Sequence, residues 1–156
     1  MQHTLPIRIY YEDTDAGGVV YHANYLNFAE RGRTEFLRAT GFENNTLEKE
    51  EGILFVVRHI DIDYLKPSFL DDSLELVTTI QTMKNTSFTM HQRAKRPNKK
   101  GDGTENHDNK SIYGDENKEE AICDMHVVIV CVDTKDYKPV RIPETVKAAF
   151  RAYLET

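Results

Sequence analysis

The sequence has little that could cross-link it. It holds two cysteines, Cys123 and Cys131, eight positions apart in one strand-like run. In an extended strand they would lie roughly 26 Å apart, far beyond the limit of about 7 Å for a disulfide. No CxxC spacing points to a metal site either, so both read as small buried apolar residues. There is no basic surplus. The formal net charge is −6, which gives no reason to expect nucleic-acid binding, although a local patch could still meet an anionic ligand. No apolar run reaches the roughly 18 residues of a membrane span. The N-terminal "MQHTLPIRIYYED" lacks the apolar middle of a secretory signal, so the cytoplasm is the expected compartment. Several catalytic signatures are missing: G-x-S-x-G, the GxxxxGK[ST] phosphate loop, HExxH and GxGxxG. The six histidines show no ligand spacing, so no metal is expected.

What remains is a chain of 156 residues, enough for one domain, 1–156, with a real core. A period of two predicts strands over 4–11, 53–65, 73–83, 86–95 and 121–133. In the second of these, Leu54, Val56, Ile60, Ile62 and Tyr64 share one side. Ile53, Phe55, Val57, His59, Asp61 and Asp63 share the other. Tyr25, Ala29, Gly32 and Phe36 fall on one face of a helix over 24–39. Ala29 and Gly32 are small enough for close approach to another layer, and Gly41 is a natural stop. A second helix is predicted over 143–154. Between the fourth and fifth strands, 97–120 carries seven acids and four basic residues and few apolar ones, which predicts a polar, flexible insertion. The core of the fifth strand, Val127 to Val132, is apolar on both faces. With few helices to cover it, a second copy of the chain is expected on part of the outer face. The sum is α+β, with an antiparallel sheet curling around one long central helix.

The chemistry is concentrated in "YYEDTDAGGVVYHANYLNFAERGRTEFLR", Tyr10 to Arg38. Gly17 and Gly18 let the backbone turn sharply and let a ligand approach it. They stand just before a helix start, where unpaired N–H groups favour an anion or a developing oxyanion. Of the crowded acids Glu12, Asp13 and Asp15, the last is best placed to be drawn inward as a general base or nucleophile. An acidic turn held by its own hydrogen bonds is the plainer alternative. His22 orients a substrate or a carboxylate, or simply sits at the start of the helix. Asn24 is the expected N-cap.

This segment closely resembles the acyl-CoA thioesterases associated with the Tol–Pal envelope system, relatives of 4-hydroxybenzoyl-CoA thioesterase with the hot-dog fold. The D-x-D-x-x-G-x-V pattern from Asp13 to Val20 and the following Asn24-Tyr25 carry the likeness. It continues in "FVVRHIDIDYLKPSFLDDSLEL" and "VVIVCVDTKDYKPVRIP". The resemblance implies a hot-dog fold and hydrolysis of acyl-CoA, with no cofactor beyond the coenzyme A of the substrate. It implies a homotetramer built as a dimer of dimers, with active sites at the dimer interface. It assigns Asp15 and His22 to catalysis, His22 standing where the benzoyl enzyme has a tyrosine. Gly17, Gly18, Ala23, Asn24 and Tyr25 would surround the thioester, a backbone N–H near the helix start holding its carbonyl oxygen. Arg93, Lys95 and Arg96 are candidates for the coenzyme's phosphates. Phe28, Phe36, Phe55 and Phe88 line the acyl pocket or pack beneath it. Two rival readings stay open: a hydratase of the same fold, and a non-catalytic module binding acyl thioesters or acyl carrier protein.

Overall fold

The computed structural model describes residues 1–97 and 119–156. Most of the expected insertion therefore lies outside the described residues. Five antiparallel strands form one sheet: β1 His3–Arg8, β2 Ile53–Tyr64, β3 Ser73–Met83, β4 Ser87–Arg96 and β5 Glu120–Asp133. Their spatial order is β1-β3-β4-β5-β2, which leaves β1 and β2 as edges. Helix α1, Asn24–Ala39, lies on one face. A short turn of helix, α2 Asn44–Thr46, runs on as a wider turn, Leu47–Glu51. Helix α3, Glu144–Arg151, closes one end of the core. Among the described residues no helix is long and apolar enough to cross a membrane.

Alternation along the strands decides which side chains face α1. Leu74, Leu76 and Ile80 of β3, Phe88 and Met90 of β4, and Met125, Val127 and Ile129 of β5 all join the core. The helix meets them with Tyr25, Ala29, Gly32 and Phe36, the face expected from the 4-3-4 spacing. Its approach is close at Gly32. A Cβ there would stand 2.3 Å from Leu76 Cδ2 and 3.0 Å from Gln92 Nε2. Gln92 is fully buried on β4. It donates to the Ala29 carbonyl (3.0 Å) and to Thr78 Oγ1 (3.1 Å), and it accepts from Arg33 Nη1 (3.0 Å). This buried amide is thus satisfied by both layers, which is the condition for keeping a polar group in a core. At the other end of α1, Phe36 packs on Phe150 of α3 with ring centres 5.1 Å apart. The helix then stops at Gly41, whose φ of +93° suits glycine.

Four sequence expectations change. β1 ends at Arg8 rather than at residue 11. Ile9 still faces the core, but Tyr10 and Tyr11 turn outward into a 3-10 turn, Tyr11–Asp13. The turn forms because the Asp13 carboxylate accepts the Tyr10 N–H at 2.8 Å. In β2 the simple alternation fails at Arg58, the extra residue of a β-bulge: Val57 stands opposite Ile129, and His59 opposite Val128. The bulge swaps faces. Ile53 and Phe55 point at the core before it, and Ile60 and Ile62 after it. Helix α3 is shorter than 143–154. The helix ends at Arg151, and after a turn at 152–153 Leu154 bridges to Ile80, which bonds to the Tyr153 carbonyl and the Glu155 N–H. Finally, Val130 and Val132, on the outer face of β5, are already buried within the single chain. The segment after β5 bridges back to Val132 at Pro139. The two-sided apolar run therefore does not by itself call for a second copy.

Cys123 and Cys131 are both free, as expected, and face the core. Burial pushes each thiol up to about 11. Two tests follow from this packing. Gly32→Ala is expected to destabilise the fold, because overpacking of about 1–3 kcal/mol outweighs the roughly 1 kcal/mol of helix propensity gained; a lowered denaturation midpoint checks it. Both thiols should resist alkylation at mildly alkaline pH in the native protein and react once denaturant exposes them.

Candidate active site

The segment between β1 and α1 folds as a small hairpin. Thr14 and Val20 form a bridge, and the Asp15 N–H donates to Val19 O at 2.9 Å. The tip is a tight turn in which Gly18 N–H donates to Asp15 O (3.0 Å). The Asp15 carboxylate folds over the turn and accepts the Gly17 N–H at 2.8 Å. A Cβ on Gly17 would lie 3.1 Å from that carboxylate oxygen, so glycine here makes room for the acid itself. Gly18 has φ +80°, a conformation that side chains disfavour.

The three acids are sorted by this hairpin. Asp13 is buried, whereas Glu12 and Asp15 are exposed. The expectation that Asp15 is the acid drawn inward is therefore corrected for the single chain. Asp13 goes in because its groups are needed there. Its carboxylate caps the 3-10 turn, while its carbonyl accepts Tyr21 N–H (2.8 Å) and Asn24 Nδ2 (3.0 Å). Asp15 sits at the tip, turned toward solvent with one carboxylate oxygen committed to Gly17.

The start of α1 also differs in detail. Asn24 is not the N-cap. It is the first helical residue, with Ala23 in the cap position. Its side chain reaches back to Asp13 and ties the hairpin to the helix. Its own N–H donates to Tyr21 O at 2.8 Å, and the Leu26 N–H donates to Ala23 O at 3.1 Å. The backbone N–H of Asn24 is therefore already paired. The amides of Ala23 and Tyr25 have no acceptor among the described residues. Unpaired N–H groups at a helix start are what an anion or oxyanion needs.

The Tyr25 side chain plays a different part. Its hydroxyl meets Ser68 Oγ at 2.5 Å, and both residues are buried. Burial raises the Tyr25 phenol above its ordinary range, with the Ser68 hydrogen bond opposing this. Ser68 O in turn accepts the Val20 N–H (2.9 Å), so the loop after β2 supports both the hairpin and the helix. His22 is exposed. Its ring packs edge-on against Tyr21 (4.7 Å between centres) and Tyr64 (6.0 Å). The Tyr64 hydroxyl donates to the His22 carbonyl at 3.1 Å. The sequence assigns Tyr64 and Ser68 no role at the site, because Tyr64 reads as one more strand residue and Ser68 as turn chemistry.

Other candidates are dispersed. Lys95 and Arg96 are engaged by acids: Lys95 by Glu119 (3.1 Å), and Arg96 by Asp72 (2.9 Å) and by Glu120. Lys66 also reaches Glu120 (3.0 Å), and with Arg96 behind it holds that carboxyl below its usual range. These cations latch the two ends of the β4–β5 connection rather than standing open for phosphate. A cavity of about 50 Å³ lies between α1, the sheet and α3. Phe36, Phe55 and Phe88 line it, but Phe28 packs on Tyr25 instead. No residue of the Asp15 hairpin borders it.

A sheet wrapped on one long helix, with an acid-tipped hairpin at that helix's start, matches known proteins. The model of the Thioesterase-like superfamily matches residues 10–150. The chain belongs to this family. Its relatives in the superfamily include the acyl-CoA thioesterase YbgC of Haemophilus influenzae, 40% identical over 94% of this chain and 93% of that protein. The acyl-CoA thioester hydrolase YbgC of Escherichia coli O6:H1 is also 40% identical, over the same shares. Among solved structures, a probable thioesterase from Bartonella henselae is 35% identical, with a TM-score of 0.73 over 92% of this chain and all of that one. A mutant 4-hydroxybenzoyl-CoA thioesterase with bound 4-hydroxybenzoyl-CoA is only 14% identical, but its TM-score is 0.80 over 96% of this chain and 98% of that one. The fold is the hot-dog fold, as the resemblance implied.

The Tyr25–Ser68 contact generates a prediction. Tyr25→Phe is expected to cost about 1–3 kcal/mol, because the Ser68 hydroxyl is left buried without its partner. Adding Ser68→Ala should recover part of that loss, and a double-mutant cycle in denaturant measures it.

Proposed function

We propose that the chain is an acyl-CoA thioester hydrolase with Asp15 as its reactive carboxylate. The observation that carries this reading is the placement of Asp15 on a glycine turn, in the hairpin tied by Asn24 to an α1 start with unpaired amides at Ala23 and Tyr25. The 40% identity to acyl-CoA thioesterases over most of the chain supports the substrate class.

In this mechanism the helix amides hold the thioester carbonyl oxygen and stabilise the charge that develops on it. Asp15 acts in one of two ways. As general base it takes a proton from water as the oxygen adds to the carbonyl carbon; the tetrahedral adduct then expels the thiolate with cleavage of the C–S bond, and the proton on Asp15 is returned. As nucleophile it adds directly, and the C–S bond breaks to give a mixed anhydride that water then cleaves. Either way the products are the free acid and coenzyme A, whose thiolate takes up a proton. His22, held against Tyr21 and Tyr64, positions the substrate. The reaction as written draws on no cofactor.

A second copy completes the site in this reading. Asp15 is open to solvent in one chain, while a working base gains from being dry. β2 is a twelve-residue edge strand, and Val57, Tyr64 and Leu65 are exposed on or beside it. A long edge of this kind is suited to pairing, and β2 to β2 contact would carry Tyr64 and His22 into an interface.

Asp15→Asn should lower the rate of thiol release from acyl-CoA by about 10²-fold or more, with the circular dichroism spectrum unchanged. Turnover near that of the parent protein would overturn the assignment. A panel of short, long and aromatic acyl-CoA substrates then defines the acyl preference.

A further inference from the structure

The outer face of the sheet, opposite α1, carries a cluster that thioester hydrolysis does not use. His91 on β4 stands directly across from His126 on β5, and Asp124 lies two residues before His126 on the same face. The imidazoles stack, with centres 4.5 Å apart and planes 13° from parallel. Both Nε2 atoms lie close to the Asp124 carboxylate: His91 is hydrogen-bonded to it at 3.1 Å, and His126 stands 3.3 Å away. The expectation that histidine spacing shows no ligand set holds along the chain but not across strands. The register assembles what the linear order separates.

The outer nitrogen of each ring is held by a partner on a neighbouring segment. His91 Nδ1 faces Glu155 Oε1 at 2.7 Å, and His126 Nδ1 faces Gln81 Oε1 at 3.0 Å. Both partner atoms are side-chain oxygens, so the Nδ1 of each ring is already engaged, and Nε2 is the nitrogen left to face the Asp124 carboxylate. Two imidazole nitrogens and a carboxylate brought this close, with a second carboxylate behind them, form an electron-rich set that a single cation would satisfy.

We propose that His91, Asp124 and His126 bind a divalent transition-metal ion of the zinc class, with its remaining position open to water. The donor set, two imidazole nitrogens and a carboxylate oxygen, suits such an ion. The spacing suits it as well: with bonds of about 2.0–2.1 Å, the edge of a tetrahedron is about 3.3 Å, against the 3.1 and 3.3 Å observed. The three ligand atoms lie within 4.8 Å of one another, and all three residues are half-buried and reachable from solvent. The outer supports are already in place. Glu155 holds His91 and is itself fixed by Thr79 Oγ1 at 2.6 Å; Gln81, which holds His126, is the extra residue of a β-bulge in β3. Such partners orient ligating histidines and raise their basicity. Because Glu155 lies in the terminal segment bonded to Ile80, the ion would also fasten the end of the chain to the sheet.

The test uses the tag-free full chain, stripped with chelator. Titration with zinc chloride by calorimetry should give saturable binding of one ion per chain and a rise in melting temperature. Cobalt(II) should give the visible absorption of a four-coordinate site. Asp124→Asn and His126→Gln should each weaken binding by more than 10-fold, and Glu155→Gln by about 10-fold. All three positions are at the surface, so an unchanged circular dichroism spectrum is expected for each variant. No saturable binding to the parent chain would overturn the proposal. So would binding that survives Asp124→Asn and His126→Gln but disappears with His59→Gln, since His59 pairs with Asp61 on the neighbouring strand.

Discussion

The contact between Gly32 and the sheet sets the distance on which the rest of the molecule depends. A helix normally rides on its side chains about 8–10 Å from a packed neighbour. Here a missing Cβ lets Leu76 and Gln92 press toward the helix backbone. Gln92 uses that proximity to reach the Ala29 carbonyl, while Arg33 closes over its oxygen. A polar side chain thereby reports on the position of the helix along its axis. Sliding α1 by one residue would leave a buried amide without its partners, a penalty that apolar packing alone does not impose. The helix start, where the hairpin is tied, is therefore held in place by a contact more than two turns away.

That fixed helix start gives meaning to the division of labour among the acids. Asp13 and Asp15 differ by two positions, yet one is buried and capped onto the backbone of Tyr10 while the other stands exposed at a turn. The first is a construction element: it caps a 3-10 turn and accepts two donors that draw the hairpin to α1. The second inherits its position from the first. Ser68 and Tyr25 complete the support from below, and Asn24 joins hairpin and helix at the level of the side chain. The candidate site is thus carried by interactions that are buried or part-buried, while the Asp15 carboxylate stands exposed.

Much of this was legible in the sequence because it rests on periodicity. The limits of α1, the face it buries and the β3–β4 hairpin all follow from spacing that only one packing satisfies. The bulge at Arg58 was not legible, since a single extra residue reverses the faces of β2 without altering its apolar composition. The identity of the buried acid was not legible either. It is decided by which carboxylate meets the Tyr10 amide, a matter of turn geometry. The family resemblance pointed to Asp15 but said nothing of Ser68 or Tyr64, which lie more than forty residues away and reach the site only through the fold. The His91–Asp124–His126 cluster was hidden for a related reason: its members meet across a strand pair, and their spacing along the chain carries no pattern.

The ion pairs at the far ends of β4 and β5 have a consequence of another kind. Arg96, Asp72, Glu120 and Lys66 hold the two strand ends together from both sides. The ends are thus brought into register without help from whatever chain runs between them. When a connection does not have to define its own closure, its length matters only logarithmically, about 0.6 kcal/mol for each doubling. At this corner of the fold the connection can therefore change in length at little cost to the pairing of β4 and β5.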